Sequence, residues 1–265
     1  MKTFRLTVMA LASATILFAC SDTAGPVDGG TVTVNFALAS GPPGTPLPGA
    51  RLSAVGAAVA ELPLDGDNGT LTIDEIWLVV DEFKLERVED ACDDVPEGED
   101  DDDCEEFELL PFFVSVPLEG EGTGEVSAEV SPGTYEELKF ETKAPDDNGS
   151  LLADIRENSF DDWPEEASML VVGTFTPTGG DTVSFRVYFD AEVKVELEFE
   201  EGEPLVIEEG GDQAVTVFID PAVWFVNDDG TVDDLSAYDY DATSEVFAFE
   251  AKFEDGFTKI ELDDD

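Results

Sequence analysis

The sequence predicts an all-β protein, an antiparallel β-sandwich of about nine or ten strands with one or two short helices. Three observations carry that expectation. Apolar side chains recur at every second position in segment after segment, the period of a strand with one buried face. Gly, Pro, Asn and Asp cluster between those segments, where tight turns need them. Finally, 42% of residues are hydrophobic and 19 are Phe, enough to fill a core despite a formal charge of -52.

The first strand is "TVTVNFALA", with Val32, Val34, Phe36 and Leu38 on one face. A Pro- and Gly-rich loop, "SGPPGTPLPGA", leads on toward "LTIDEIWLVVDEFKLERV" at 71–88. There Ile76, Leu78 and Val80 share one face and Trp77 and Val79 the other, so this segment is expected to be a central strand covered on both sides. In "FELLPFFVSVPL" (107–118), Phe112, Val114, Val116 and Leu118 alternate, and the two segments read as a long hairpin. "GEVSAEVSPGTYEELKFE" gives Val126, Ala128 and Val130, a Ser-Pro-Gly-Thr turn, then Tyr135, Leu138 and Phe140. Leu151, Leu152 and Ile155 in "NGSLLADIRENSF" (148–160) have helical spacing and predict a short surface helix. "ASMLVVGTFTP" is a strand, followed by a Gly-Gly-Asp turn at 179–181. Val183, Phe185, Val187 and Phe189 then share a face, and Val193, Val195, Leu197 and Phe199 continue the alternation. "QAVTVFID" adds Val215, Val217 and Ile219. "TSEVFAFEAKFEDGF" is read as a helix capped by Thr243 or Ser244, against the strand-like alternation of Phe247, Phe249, Ala251 and Phe253. No fixed-period repeat stands out, and residues 31–260 read as one domain followed by an acidic tail at 261–265.

At the start, "MKTFRLTVMALASATILFA" carries Lys2 and Arg5, then a run dominated by apolar residues, and no acid. Residues 1–19 therefore read as a signal peptide, too short in its apolar part for the ~20 residues that span a bilayer. The segment ends "LFAC", where the chain resembles the lipobox of bacterial lipoproteins, with Leu17, Ala19 and Cys20 in the matching positions and Phe18 larger than is usual. That resemblance implies diacylation of Cys20 as the mature N-terminus. The competing reading is an ordinary secreted protein with a leftover thiol. Ser21 in place of Asp does not suggest inner-membrane retention, so the expected location is the cell envelope at the outer membrane. Residues 20–30, the anchor and "SDTAGPVDGG", form a flexible tether.

With Cys20 lipidated, Cys92 and Cys104 remain, and an exported compartment favours their pairing over two free thiols. The disulfide would stabilise by ~3 kcal/mol in the chain-entropy model. Between them lie Asp93, Asp94, Glu97, Glu99, Asp100, Asp101, Asp102 and Asp103. So many like charges are tolerable only at a hydrated sheet edge, since burying one costs several kcal/mol. They are also the best candidate cation site, because calcium takes six to eight hard oxygen ligands. Two further segments share the chemistry: Asp65, Asp67, Asn68 and Asp74 in "DGDNGTLTIDE", and Asn227, Asp228, Asp229, Asp233 and Asp234 in "NDDGTVDD". Neither fits the EF-hand register, and Asx-turn chemistry is the favoured reading for both, as diffuse solvation is for the ring.

Composition removes several function classes. With 64 Asp and Glu against 12 Lys and Arg, the surface repels nucleic acids and anionic lipid headgroups. The absence of His removes Ser-His-Asp hydrolysis, Cys-His proteolysis, HExxH zinc sites and His-ligated haem. No glycine-rich phosphate fingerprint is present. Glycoside hydrolysis survives, since it needs only two suitably spaced carboxylates, but 64 acids make that feature undiscriminating. Trp77 and Trp224 lie in apolar surroundings and read as core, whereas Trp163 in "FDDWPEE" has polar neighbours and is the candidate for ligand stacking.

"LTIDEIWLVVDEFKL", "FFVSVPL", "SPGTYEELKFE" and "VTVFIDPAVWF" together resemble uncharacterised secreted bacterial and archaeal lipoproteins with a carbohydrate-binding-like, transthyretin-like β-sandwich. The resemblance covers most of the mature chain through loose hydrophobic patterns, and implies a binding or structural domain without catalytic residues. The sequence thus points to a non-enzymatic, lipid-anchored envelope module. Carbohydrate or calcium binding is the alternative, and an envelope glycosidase comes third.

Overall fold

The computed structural model describes residues 29–39, 61–88, 106–118, 124–146, 149–199, 202–249 and 252–262. Residues 1–28, on which the expected signal peptide, Cys20 and the expected tether fall, and the segment that holds Cys92, Cys104 and the carboxylates between them lie outside the described residues.

Fourteen strands occur among the described residues: β1 (Gly30–Leu38), β2 (Leu62–Gly66), β3 (Gly69–Arg87), β4 (Glu106–Leu109), β5 (Phe112–Val116), β6 (Gly124–Val130), β7 (Gly133–Thr142), β8 (Met169–Pro177), β9 (Val183–Asp190), β10 (Val193–Glu198), β11 (Leu205–Ile207), β12 (Asp212–Ile219), β13 (Phe247–Ala248) and β14 (Phe257–Leu262). The helices among the described residues are α1 (Ser150–Asn158), α2 (Pro221–Phe225) and α3 (Tyr240–Thr243). Short 3-10 turns occupy Leu235–Tyr238 and Glu254–Gly256. Every strand expected from the alternation is present. The larger count comes from the short β2, β11, β13 and β14, and from a break at Leu110 and Pro111 that splits the expected 107–118 strand.

The strands form a four-stranded sheet in the order β14-β12-β1-β6 and a ten-stranded sheet built around β3. Pairing is antiparallel except at two places, β1 with β12 and β13 with β9. Both parallel pairs join segments far apart in sequence, so no tight hairpin dictates their direction. β5 lies alongside β6 and β10 alongside β14, bringing the corners of the two sheets together around the main core. Val32, Val34, Phe36, Val215, Val217 and Ile219 fill that core from the smaller sheet.

β3 organises the larger sheet. One of its edges takes β8 and then β7, and the other takes β2, β5 and β4 in turn. The expected long hairpin is present: Ile76 faces Val116 and Glu86 faces Glu106, so the residues flanking the cysteine-bearing segment are cross-strand neighbours. Two β-bulges interrupt the strand, one between Ile73 and Glu75 and one between Val80 and Glu82. Each absorbs one aspartate, Asp74 or Asp81. A strand without them would swing Glu75 and Glu82 to the core face, since one extra residue exchanges the two faces. With them, Leu71, Ile73, Ile76, Leu78, Val80, Phe83 and Leu85 all enter the same core. Opposite the first bulge, Gly173 leaves room for the Thr72 carbonyl, with which any Cβ would collide.

The other face of β3 is covered in its middle, as expected. Val79, Leu170 and Tyr188 pack there against Leu152 and Ile155 of α1 and against Trp163, making a second, smaller core. Farther along, the outer face of β3, β7 and β10 is instead a lattice of charges, where Lys139 meets Glu86 at 2.9 Å and Glu137 at 3.1 Å.

The segment read as a C-terminal helix is not one. Thr243 ends α3 instead of capping a new helix, and Ser244 takes a left-handed conformation at φ 54. Phe247 lies in β13, while Phe249 stacks on Phe225 and Phe253 on Trp224. Alternation wins because each ring reaches an apolar partner from extended or turn backbone. β14 follows and runs to Leu262.

Candidate functional site

Concave surface gathers over the second core. α1 follows β7, and residues 159–168 return to β8 through two turns. Arg156 in the last turn of α1 fixes that return, its Nε donating to the Trp163 carbonyl at 2.9 Å. Pro164, Glu165 and Glu166 form a ridge between two open clefts. One, of 710 Å³, is lined by Ala144, Pro145, Asp146, Gly149, Glu165, Glu166 and Asp190. The other, of 560 Å³, is bounded by Arg156, the same ridge, Tyr240 and residues 244–247. Four carboxylates facing the larger cleft make it a place for cationic groups. Among the described residues, however, no group of three or more Asp, Glu, His or Cys side chains has the geometry to hold a metal ion.

Arg186 on β9 clamps the elements around the second cleft. Its guanidinium donates to both Asp162 oxygens, at 3.0 and 2.6 Å, and to Asp241 at 2.7 Å. Its backbone N–H donates to Asp239 at 3.0 Å. Burial works against its charge, yet the hydrogen bonds to Asp162 and Asp241 hold the guanidinium above its ordinary range. Tyr188 is pushed well up by burial and by the Asp162 charge, so its hydroxyl stays protonated and reaches Asp162 at 3.3 Å. No sequence pattern marks this clamp, because its partners lie 24 and 55 residues from Arg186.

Trp163 overturns the expectation placed on it. The side chain is wholly buried, with Phe113 and Tyr188 edge-on at 5.0 and 5.2 Å, and Nε1 donates to the Ala167 carbonyl at 2.9 Å. The acids around it in sequence turn outward while the indole wedges beneath the ridge, so neither ring face is open to a sugar. Trp224 is buried as expected; Trp77 is half-buried, stacked on Phe113 at 5.0 Å.

The two Asx-rich segments come together through Asn68, and Asp65, Asp229 and Asp234 are satisfied by near neighbours in the chain. Asn68 Nδ2 donates to the Val232 carbonyl at 2.7 Å while its Oδ1 accepts from Val232 N–H at 2.9 Å. Asp229 accepts from both N–H and Oγ1 of Thr231, which holds its carboxyl below the usual range. Asp234 accepts from Ser236 N–H and Oγ in the same way. Asp65 accepts from Thr70 Oγ1 at 2.8 Å. Turn chemistry accounts for these residues. The carboxylates between Cys92 and Cys104, Asp93, Asp94, Glu97, Glu99, Asp100, Asp101, Asp102 and Asp103, lie outside the described residues.

No protein-family model matches the chain, and no curated protein matches it. Among solved structures it is similar to MbnP from Methylosinus trichosporium, at 14% sequence identity and a TM-score of 0.34, over 73% of this chain and 76% of that one. No helix among the described residues is long and apolar enough to cross a membrane.

Proposed function

We propose that the chain is an exported lipoprotein, anchored through Cys20 at the outer membrane, whose β-sandwich serves as a non-enzymatic binding or structural module in an ion-rich medium. The observation that carries this reading is the division of charge. Among the described residues the buried polar side chains are Thr142, Ser168 and Thr216, without a single Asp, Glu, Lys or Arg. Among the described residues, in a chain of formal charge -52, the ionised groups thus lie in a hydrated skin around an apolar core. The carboxylate-lined cleft beside the Glu165 and Glu166 ridge favours a second reading, weak capture of cations or of cationic groups on an envelope partner.

Anchoring is tested by growing cells that express the full chain with labelled palmitate. The wild type takes up label and sediments with the envelope, while Cys20→Ala stays unlabelled and is released in soluble form. Unlabelled wild-type protein would end the lipoprotein reading.

A further inference from the structure

Between α2 and β14 the chain makes a long excursion, and three polar side chains tie its ends together. Lys252 Nζ donates to Asn227 Oδ1 at 3.1 Å. Asn227 Nδ2 donates in turn to Asp233 Oδ1 at 2.9 Å, and to Thr231 Oγ1 at 3.3 Å. An isolated bridge between Val226 and Val232 and a hydrogen bond from Asp233 N–H to the Phe225 carbonyl at 2.9 Å hold the Asn227 and Asp233 backbones in place. All three side chains are half-buried, and their chain neighbours Phe225 and Phe253 are wholly buried. Phe253 stacks on Trp224 at 5.0 Å, so the triad sits at the rim of an aromatic cluster.

An amine on the oxygen side of a carboxamide and a carboxylate on its nitrogen side form an arrangement suited to amide exchange. We propose that Lys252 and Asn227 join in an intramolecular isopeptide bond, with Asp233 steadying the departing amide nitrogen. Lys252 gives one proton to water, and the Nζ lone pair attacks Asn227 Cγ. A second Nζ proton passes through water to Nδ2 as the Cγ–Nδ2 bond breaks, and Asp233, already hydrogen-bonded to Nδ2, steadies the positive charge that gathers on the departing nitrogen. The products are a secondary amide and ammonia, which takes up a proton from water. No electrons are gained or lost, so the step needs no oxidant. The bond would close the excursion covalently, holding β13 and the aromatic cluster against β9 in a manner indifferent to reductants.

The test is mass spectrometry on the purified, folded full chain, with Lys252→Arg and Asp233→Asn alongside. The wild type is expected to be lighter than its sequence by one ammonia and to yield a branched peptide joining Asn227 to Lys252. Lys252→Arg should keep its full mass, and Asp233→Asn should form the branched peptide at least tenfold more slowly. A wild type at full mass would overturn the proposal. So would ammonia loss with only linear peptides, which is the signature of succinimide at an Asn-Gly pair.

Discussion

Thr142 is wholly buried in line with Leu138 and Phe140 on β7, and its Oγ1 has no hydrogen-bond partner. A buried hydroxyl in that state forfeits its hydration for nothing in return, a cost of about 1–3 kcal/mol. Thr142→Val is therefore expected to stabilise the fold by about 1 kcal/mol, read as a higher urea midpoint at unchanged slope. A lower midpoint would show that the hydroxyl is needed where it is. Ser168 is the contrasting case, because its Oγ accepts from Ala191 N–H at 2.7 Å and donates toward the Ala191 carbonyl at 3.1 Å. At this scale the sequence is a poor guide to polar residues. Trp163 reads as exposed because its chain neighbours are acids, yet a turn lets neighbours face opposite ways. The same limit hides the Lys252, Asn227 and Asp233 triad, whose members have no periodic relation.

Among elements, β3 was the most transparent in the sequence, since both of its faces carry apolar residues. Its two bulges were also written there, in the three-residue steps from Ile73 to Ile76 and from Val80 to Phe83, where strict alternation takes two. Reading the alternation within each stretch alone passes over them. α1 followed from helical spacing, but its role as the cover of a second core depends on partners from β5, β8 and β9. Arg186 secures the turn that follows it. Arg186→Gln is expected to raise amide hydrogen exchange across residues 150–168 about fivefold, consistent with about 1 kcal/mol for a partly exposed ion cluster. Exchange in β1 and β12 should stay unchanged. Equal protection of α1 in both proteins would remove the clamp from the account.

For the whole molecule, acidity sets the response to salt and pH. At ~0.01 M salt the screening length is ~30 Å and the skin repels itself, whereas at ~1 M it falls to ~3 Å. The melting temperature is therefore expected to climb steeply with NaCl, and equal melting at both extremes would refute the solvated-skin reading. A large rise with millimolar calcium alone would instead reveal specific sites. Burial raises the carboxyls of Asp74, Asp81 and Asp220 above their ordinary value. Groups raised in the folded state bind protons more tightly there than in the unfolded chain, so stability grows as pH falls through their folded values toward the ordinary carboxylate value. The Lys84 hydrogen bond lowers Glu82, and Thr231 lowers Asp229, so their contributions disappear only at still lower pH. At low salt, melting should peak in mildly acidic solution, and the peak should persist but shrink in Asp74→Asn/Asp81→Asn. A monotonic fall from neutral pH would contradict this.

Period-two alternation, turn chemistry and charge balance were enough for the sequence by itself to determine an all-β fold, its principal strands and a water-facing acidic exterior. Each of these depends on residues near one another in the chain. Only the tertiary structure decided that β1 and β12 run parallel, that Trp163 is core, that Asn68 pairs with the backbone of Val232 and that Lys252 meets Asn227. Those outcomes depend on which distant segments share a surface, and alternation, which says only that a residue faces inward, is blind to what it will meet there.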